Sequence, residues 1–427
     1  MKVASTHPNN HQRLFETPQS SFGGNLWLRT THPYKTIGSL SKDKEGGALI
    51  TMPPAGKRSS STKNFKTRSF FLKESKLYYS AGLKSNDKLK AFLDLEFAYL
   101  ALHTATSDKE SPSGERVQFS IERGDRFTLI EVEGRQSIQT WLRELSIYCV
   151  REDFHPTYFA TAKIGSGAFG KVFKLKKRNL LSHDSIASEE EEEQLVAKAL
   201  PRRVISEDEE KLEGLKNEIR AMRRVRGNAL FVQFWGVFET KNSVYLILEH
   251  IEGRDLIDID NPAIYKQQER FKVMGQLFSA LGHLRDLRIA HRDLKHDNIL
   301  ISKRGVIKVI DFGLALLDTS NINGPAFEGL LGTKAGTPGY MAPELLKANT
   351  GREMGLFGPK TDIYSVGIIL YLMVTGKHPF EGNDAISILK KNRKGRVDLN
   401  PQTNSSLANV GQEELGVLKL CLEAKPD

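Results

Sequence analysis

Cysteine is scarce in this chain: Cys149 and Cys421 are the only two among 427 residues. That excludes a small scaffold stapled by disulfides and points to a reducing interior. Long apolar runs are lacking too. The longest lies near Val366–Val374, far short of the roughly 20 residues that a membrane-spanning helix needs. The opening Met1-Lys2-Val3-Ala4-Ser5-Thr6-His7 has no apolar signal core, and no glycine follows Met1 to accept myristate. Internal repeats are absent. Acidic residues are sparse at the front: residues 1–76 hold 13 Lys/Arg against 4 Asp/Glu, most of the net +10 of the whole chain. A basic front end suits an anionic partner.

What is present suits a globular protein of two or three domains, with 39% hydrophobic and 27% charged residues. Residues 1–44 are rich in Ser, Thr, His, Asn and Gly, a composition that predicts a disordered basic N-terminus. From Gly46 the pattern changes. Ala48–Met52 predicts a strand, and Ser69–Leu72 and Lys76–Tyr79 flank a hairpin turn at 73–75. Phe97–Thr104, Val117–Ile121 and Arg126–Val132 are strand-like. Ile138, Trp141, Leu142 and Leu145 then fall at helical spacing.

Several strands closed by a tryptophan-bearing helix resemble the pleckstrin-homology domain, here over 45–150. The resemblance rests on Lys66–Leu72, Lys76–Tyr79 and Trp141. It implies a β-barrel or sandwich capped by one helix, with Trp141 in the core. In that family, basic residues near the first hairpin grip lipid phosphates. The candidates are Lys57, Arg58, Lys63, Lys66 and Arg68, although the leading lysine is displaced from the first strand into the loop. The implied partners are anionic membrane lipids, phosphoinositides among them, and the implied location is cytoplasmic with reversible recruitment to membranes. No nucleic acid is expected. Residues 151–156 form a linker short enough to keep its two flanks close.

Beyond the linker, Ile164-Gly165-Ser166-Gly167-Ala168-Phe169-Gly170-Lys171-Val172 sits between two strand-like runs. Its glycines let backbone amides approach a phosphate. The pattern alone is weak, because dinucleotide-binding folds share it. Here a strand, not a helix, follows Gly170, which argues against a dinucleotide-dependent oxidoreductase. Lys198 lies in the apolar run Leu195–Leu200, where its charge needs an anionic partner. His291-Arg292-Asp293-Leu294-Lys295-His296-Asp297-Asn298 is followed, thirteen residues on, by Asp311-Phe312-Gly313. Gly336–Glu344 reads Gly-Thr-Pro-Gly-Tyr-Met-Ala-Pro-Glu.

These segments, in this order, resemble the eukaryotic serine/threonine protein kinases. Gly376 and Pro379-Phe380 are similar to the calcium/calmodulin-dependent group. The resemblance covers 157–427. It implies a multidomain α+β protein whose kinase part is bilobal, with a β-rich N-lobe over 157–251, a helical C-lobe over 252–427 and an acidic insertion at 177–194. ATP and Mg2+ are the implied cofactors. The glycine loop (Ile164–Gly170), Val172, Val196, Leu248, Glu249, Ile251 and Leu300 would line the nucleotide. Lys198, paired with Glu218, would hold its phosphates. Asp293 would orient the substrate hydroxyl, Lys295 would meet the γ-phosphate, and Asn298 and Asp311 would bind metal. Lys295 and the Gly336–Glu344 segment are of the serine/threonine type.

Thr333 is the expected regulatory phosphosite, with Arg292 as its partner. Asp255 and Asp297 stand where arginine-directed kinases carry acids, so protein substrates with Arg three residues before the hydroxyl are expected. His296 departs from the family's usual proline, and Val196 from its usual alanine. In the family Glu344 pairs with a late arginine that would fall just beyond Asp427, so a truncated last helix and an unpaired Glu344 are expected. A pseudokinase scaffold is the alternative function; the complete set Lys198, Glu218, Asp293, Asn298 and Asp311 argues against it.

Overall fold

The structure is a computed structural model that describes residues 13–15, 34–35, 40–42, 48–50, 66–67, 70–73, 75–80, 89–103, 116–133, 135–167, 170–178, 194–257, 265–318, 335–347 and 358–423. They fall into two units: residues up to 207 with 234–249, and 208–233 with 250 onward.

The first unit opens with β1 (Tyr34–Lys35), β2 (Leu40–Lys42), β3 (Ala48–Ile50), β4 (Lys66–Thr67), β5 (Phe70–Lys73), β6 (Lys76–Ser80) and β7 (Leu89–Asp94). Next come β8 (Tyr99–His103), β9 (Arg116–Arg123), β10 (Arg126–Glu133) and helix α1 (Arg135–Tyr148). After α1 follow β11 (Val150–Arg151), α2 (Phe154–Thr157), β12 (Tyr158–Gly167), β13 (Gly170–Lys177), β14 (Leu195–Pro201) and α3 (Arg202–Ser206). The unit closes with β15 (Phe234–Glu239) and β16 (Ser243–Glu249).

Strands β2, β3, β5, β6 and β7 make an antiparallel sheet in that order. The expected hairpin sits at β5–β6, where Leu72 faces Leu77 and Lys73 faces Lys76. A second hairpin joins β9 to β10 through Gly124-Asp125, with Gly124 at φ +58° as a two-residue turn requires. Leu72 and Leu77 from the first sheet meet Leu100, Phe119 and Ile130 from the second, and α1 adds Trp141, Leu145 and Cys149 to the same core. Trp141 is therefore a core residue, as its helical spacing predicts.

The second sheet runs β12-β13-β14-β16-β15-β11-β8-β9-β10-β1-β4. No sheet among the described residues closes on itself, so of the expected barrel or sandwich no closed barrel is seen: two open sheets share one core with α1. Val150 pairs in parallel with both Tyr99 and Val237, so β11 splices the N-terminal strands onto the edge strand of the next sheet. The predicted linker is thus built into structure. Phe154 is 3% exposed and stacks on Tyr245 with 3.8 Å between ring centroids. The Arg151 guanidinium lies over the Phe238 ring and bonds Asp153 and Thr157. Within the stretch expected to be structureless, Arg13, Leu14 and Phe15 are placed, and Leu14 and Phe15 are buried.

The second unit begins with α4 (Glu209–Val225). Asp208 caps it by accepting from Lys211 N, Glu209 and Glu210 sit in its first turn, and Arg223 and Arg224 in its last. Then come β17 (Gly253–Asp255), α5 (Gln267–Asp286), β18 (Ile289–Ala290), β19 (Ile299–Ser302), β20 (Ile307–Val309) and β21 (Leu316–Leu317). Helices α6 (Pro343–Lys347), α7 (Pro359–Thr375), α8 (Ala385–Lys394) and α9 (Gln412–Cys421) complete it. Helix α7 starts on Pro359 and stops at Gly376 in the left-handed region. It is apolar nearly all round because it is buried from Tyr364 to Met373. Short ladders β17–β19–β20 and β18–β21 frame the segments that carry the charged motif residues. No helix among the described residues is long and apolar enough to cross a membrane.

Candidate active site

The first unit carries the glycine-rich turn and its neighbours. Strands β12 and β13 pair antiparallel through Gly165–Val172, Ser166–Lys171 and Gly167–Gly170. The strand after the last glycine is therefore present, as predicted. Gly170 is sterically required: a Cβ there would strike the carbonyl oxygen of Ala199. Gly165 has no such constraint, since a Cβ would meet Val172 only at 3.6 Å. Ile164 is 45% exposed. Ala168 and Phe169 lie outside the described residues. Lys198 sits mid-strand on β14, opposite Val172 on one side and Leu246 on the other. Val196 faces Leu248, and both are buried. Glu249 ends β16.

The second unit carries the remaining candidates. Asp362, at the start of α7, accepts from His291 N at 2.7 Å and Arg292 N at 2.8 Å. These two bonds hold Arg292 at φ +65°, a left-handed conformation uncommon for a bulky side chain. The chain then turns sharply into Asp293. Burial pushes the Asp362 carboxyl up to about 6, against the pull of those two amides. His291 is 1% exposed, packs on the Phe312 ring, and accepts from Asp293 N. Burial pushes its imidazole down to about 4, so it stays neutral. Phe312 is fully buried between His291 and Phe231.

Around Asp293 the polar groups converge. Thr337 Oγ1 donates to Asp293 Oδ1 at 2.6 Å and accepts from Lys295 Nζ at 3.0 Å. Asn298 Nδ2 donates to the Asp293 carbonyl at 2.8 Å and to Oδ2 at 3.2 Å. Lys295 Nζ stands 3.6 Å from Asp293 Oδ2. The carbonyl of Asn298 accepts from Ile310 N at 3.0 Å, which ties the loop to the residue before Asp311. Asp311 Oδ1 accepts from Gly313 N at 3.0 Å. Glu218 is buried on α4, and its Oε2 would lie 3.8 Å from a Cβ on Gly313.

With its amide NH2 committed to Asp293, Asn298 offers a carbonyl oxygen. Asp311 offers a carboxylate. Hard oxygen donors of this kind fit Mg2+. No cluster of three or more His, Cys, Asp or Glu side chains suited to a metal occurs among the described residues.

Gly336–Tyr340 rests on the same loop. Gly336 has φ +137°, and a Cβ there would press on Arg292 O and Met341. His296 Nδ1 shares a hydrogen bond of 2.6 Å with the Tyr340 phenol OH, Ser365 Oγ donates to Tyr340 O, and Asn392 accepts from Gly339 N and donates to Met341 O. His296 thus replaces proline with a bond to the segment it supports. Among the described residues Glu344 Oε2 finds no hydrogen-bond partner, and burial pushes its carboxyl up. Asp255 and Asp297 are both exposed. Ile251 and Leu300 lie in this unit, Leu300 on β19. Thr333, Lys57, Arg58, Lys63 and Arg68 lie outside the described residues; Lys66 opens β4. The Gly336–Glu344 motif carries no sign that the Thr337 hydroxyl bridges Asp293 and Lys295, because its contact with Asp293 spans 44 residues.

A strand-rich unit with a glycine turn and a mid-strand lysine, and a helical unit with a braced carboxylate, are the two parts of a protein-kinase-type domain. Comparison with known families agrees. Residues 158–427 match the family described as protein kinase domain. The chain belongs to that family. It is 32% identical over 234 residues to CBL-interacting serine/threonine-protein kinase 15 of Arabidopsis thaliana, covering 55% of this chain and 50% of that protein. It is 31% identical over 283 residues to CBL-interacting protein kinase 14 of Oryza sativa subsp. japonica, covering 60% of each. To calcium/calmodulin-dependent protein kinase type 1 of Caenorhabditis elegans it is 28% identical over 262 residues, covering 60% of this chain and 67% of that one. The chain spans about half to three fifths of the length of the plant relatives.

Proposed function

We propose that this protein transfers the γ-phosphoryl group of ATP to serine or threonine hydroxyls of protein substrates. The observation that carries the reading is the Asp293–Thr337–Lys295 arrangement: an alcohol oxygen held at 2.6 Å from a carboxylate and 3.0 Å from an ammonium. A substrate hydroxyl needs that same pair, a carboxylate to orient it and take its proton, and a cation for the charge on the transferring group. Asn298 fixes the carboxylate from its other side, and Lys198 and Glu218 take the family's phosphate-holding roles. Mg2+ held by Asn298 and Asp311 would neutralise phosphate charge when bound. Asp255 and Asp297 favour substrates with Arg three residues before the hydroxyl.

Radiolabelled ATP with a serine peptide of that pattern tests the reading. Asp293→Asn is expected to lower transfer by about 100-fold or more, the usual contribution of a positioned proton acceptor. Equal transfer by the variant would overturn it in favour of a scaffold without catalysis.

The N-terminal half supports a second component. Two sheets and a terminal helix around buried Trp141 are compatible with a pleckstrin-homology-type module, and the basic cluster Lys57, Arg58, Lys63, Lys66 and Arg68 would draw it to anionic membranes from the cytoplasm. Sedimentation with vesicles containing phosphatidylserine or phosphoinositide is expected to fall when these five are changed to alanine. No change would remove lipid control from the reading.

A further inference from the structure

Arg13, Leu14 and Phe15 are held almost wholly by side chains far away in sequence. The Arg13 guanidinium forks onto Glu152, with Nε at 3.3 Å and Nη2 at 3.0 Å, and its Nη1 reaches Glu122 at 2.8 Å. The same group lies 4.2 Å above the Tyr99 ring. The main chain is read as well. Leu14 N donates to Glu239 at 2.9 Å and Phe15 N to the Tyr99 hydroxyl at 3.2 Å. The Phe15 ring stacks on Phe97 at 5.2 Å, nearly parallel. The hydrogen-bond partners lie 84 to 225 residues away in the chain.

The walls have supports of their own. Glu239 is fully buried and also accepts from Tyr99 OH and from Arg202 Nε at 2.7 Å. Glu122 accepts from Ser120 Oγ. Phe97 is held at φ +58° with its N–H on Tyr148 O, a strained conformation of the kind found at ligand clamps. Three carboxylates line this pocket: Glu122 and Glu152 meet the Arg13 guanidinium, and Glu239 meets Arg202 and the Leu14 amide. The pocket suits a cation flanked by an apolar residue and an aromatic ring. Burial alone would lower the pKa of Arg13; the bonds to Glu152 and Glu122 reverse this and keep it charged.

We propose that this pocket is a peptide-recognition site for an Arg-apolar-aromatic segment, and that the chain's own Arg13-Leu14-Phe15 is its ligand in cis. The bidentate fork, the cation over an aromatic ring, two main-chain N–H bonds and a stacked ring are the means by which binding sites read a peptide. No strand ladder holds the segment, so it can leave without dismantling a sheet. Glu239 ends β15 and accepts from Arg202, which follows directly on β14, the strand that carries Lys198. The site is thus tied to the strand carrying the nucleotide-side lysine, yet its occupancy is readable without any phosphoryl transfer.

The test uses the full chain and a fluorescent synthetic peptide of residues 9–18, with binding read by anisotropy. Wild-type protein, its pocket filled, is expected to bind the peptide weakly. The Arg13→Glu/Phe15→Ala protein is expected to bind it at least about tenfold more tightly, because the competing segment has been disabled. Replacing arginine by alanine in the peptide is expected to weaken that binding about tenfold, the scale of a lost charge-assisted fork. This last comparison leaves the protein unaltered, so misfolding cannot mimic it. Equal binding to wild type and variant would overturn the proposal, as would indifference to the peptide's arginine. Light scattering that showed a wild-type dimer lost in Arg13→Glu would overturn the cis assignment, since a second copy would then supply the segment.

Discussion

Three groups meet the Asp293 carboxylate: the Thr337 hydroxyl donates to Oδ1, Asn298 Nδ2 donates to Oδ2, and the Lys295 ammonium stands 3.6 Å from Oδ2. The Thr337 hydroxyl is the only one of the three that also links the carboxylate to the ammonium. Thr337→Val keeps the shape and removes that link. We expect kcat to fall by about tenfold with the KM for ATP unchanged, the pattern of an interaction that positions groups for the transition state. Steady-state kinetics check it; an altered KM with intact kcat would assign Thr337 to ground-state binding. A second residue-level expectation concerns His378. Burial, then the nearby His296, pushes its pKa below the ordinary histidine value, and its ring packs on Tyr340 while accepting from Phe380 N. A histidine held neutral in the folded state makes no difference to stability above its unfolded pKa. As pH falls below about 6.5 the unfolded chain takes up the proton first, and folding loses up to about 1.4 kcal/mol per pH unit until the folded pKa is reached. His378→Asn keeps an acceptor for Phe380 N and removes the titration. Its melting temperature is expected to fall less than that of wild type between pH 7 and pH 5; parallel curves would show that His378 does not contribute.

At the scale of elements, what could be read in the sequence depended on how far apart the partners lie. The candidate catalytic loop was legible because His291–Asn298 is contiguous and its spacing to Asp311 is short. The hairpin at β5–β6 and helix α1 were legible from periodicity alone. The Arg270–Glu414 pair was not. It joins α5 to α9 across 144 residues through two bonds of 2.7 and 2.9 Å, and neither residue stands in a motif. The same holds for Arg13, which looks like one more charge in a basic tail until Glu122 and Glu152 are brought to it. Buried pairs of this kind are costly to break from one side. Glu414 is 1% exposed, so Arg270→Ala leaves an uncompensated carboxylate and is expected to destabilise by about 3 kcal/mol or more. Arg270→Met with Glu414→Met removes both charges and should recover most of that loss. Denaturant unfolding of the two variants distinguishes a buried pair from a merely exposed one, for which the single change would cost under about 1 kcal/mol.

At the scale of the molecule, the N-terminal strands run on into the strands that follow within the first unit. Two residues, Val150 and Arg151, carry this continuity, because β11 pairs with β8 on one edge and β15 on the other. Sequence offered no sign of this: a two-residue strand has no periodicity, and the run through Pro156 reads as a spacer. The packing around it makes the splice costly to open. Phe154 stacks on Tyr245, Arg151 covers Phe238, and Val150 N donates to Ala98 O at 2.8 Å. Val150→Pro deletes that donor and forces φ near −65°. If β11 couples the two strand sets, amide exchange should accelerate together on β8, near residues 99–103, and on β15, near 234–239, in this variant, while the far edge at β12–β13 remains protected. Such joint loss marks one cooperative unit. Acceleration confined to β8, with β15 still protected, would show that the two strand sets hold their structure independently, and that β11 joins them in space without joining their stability.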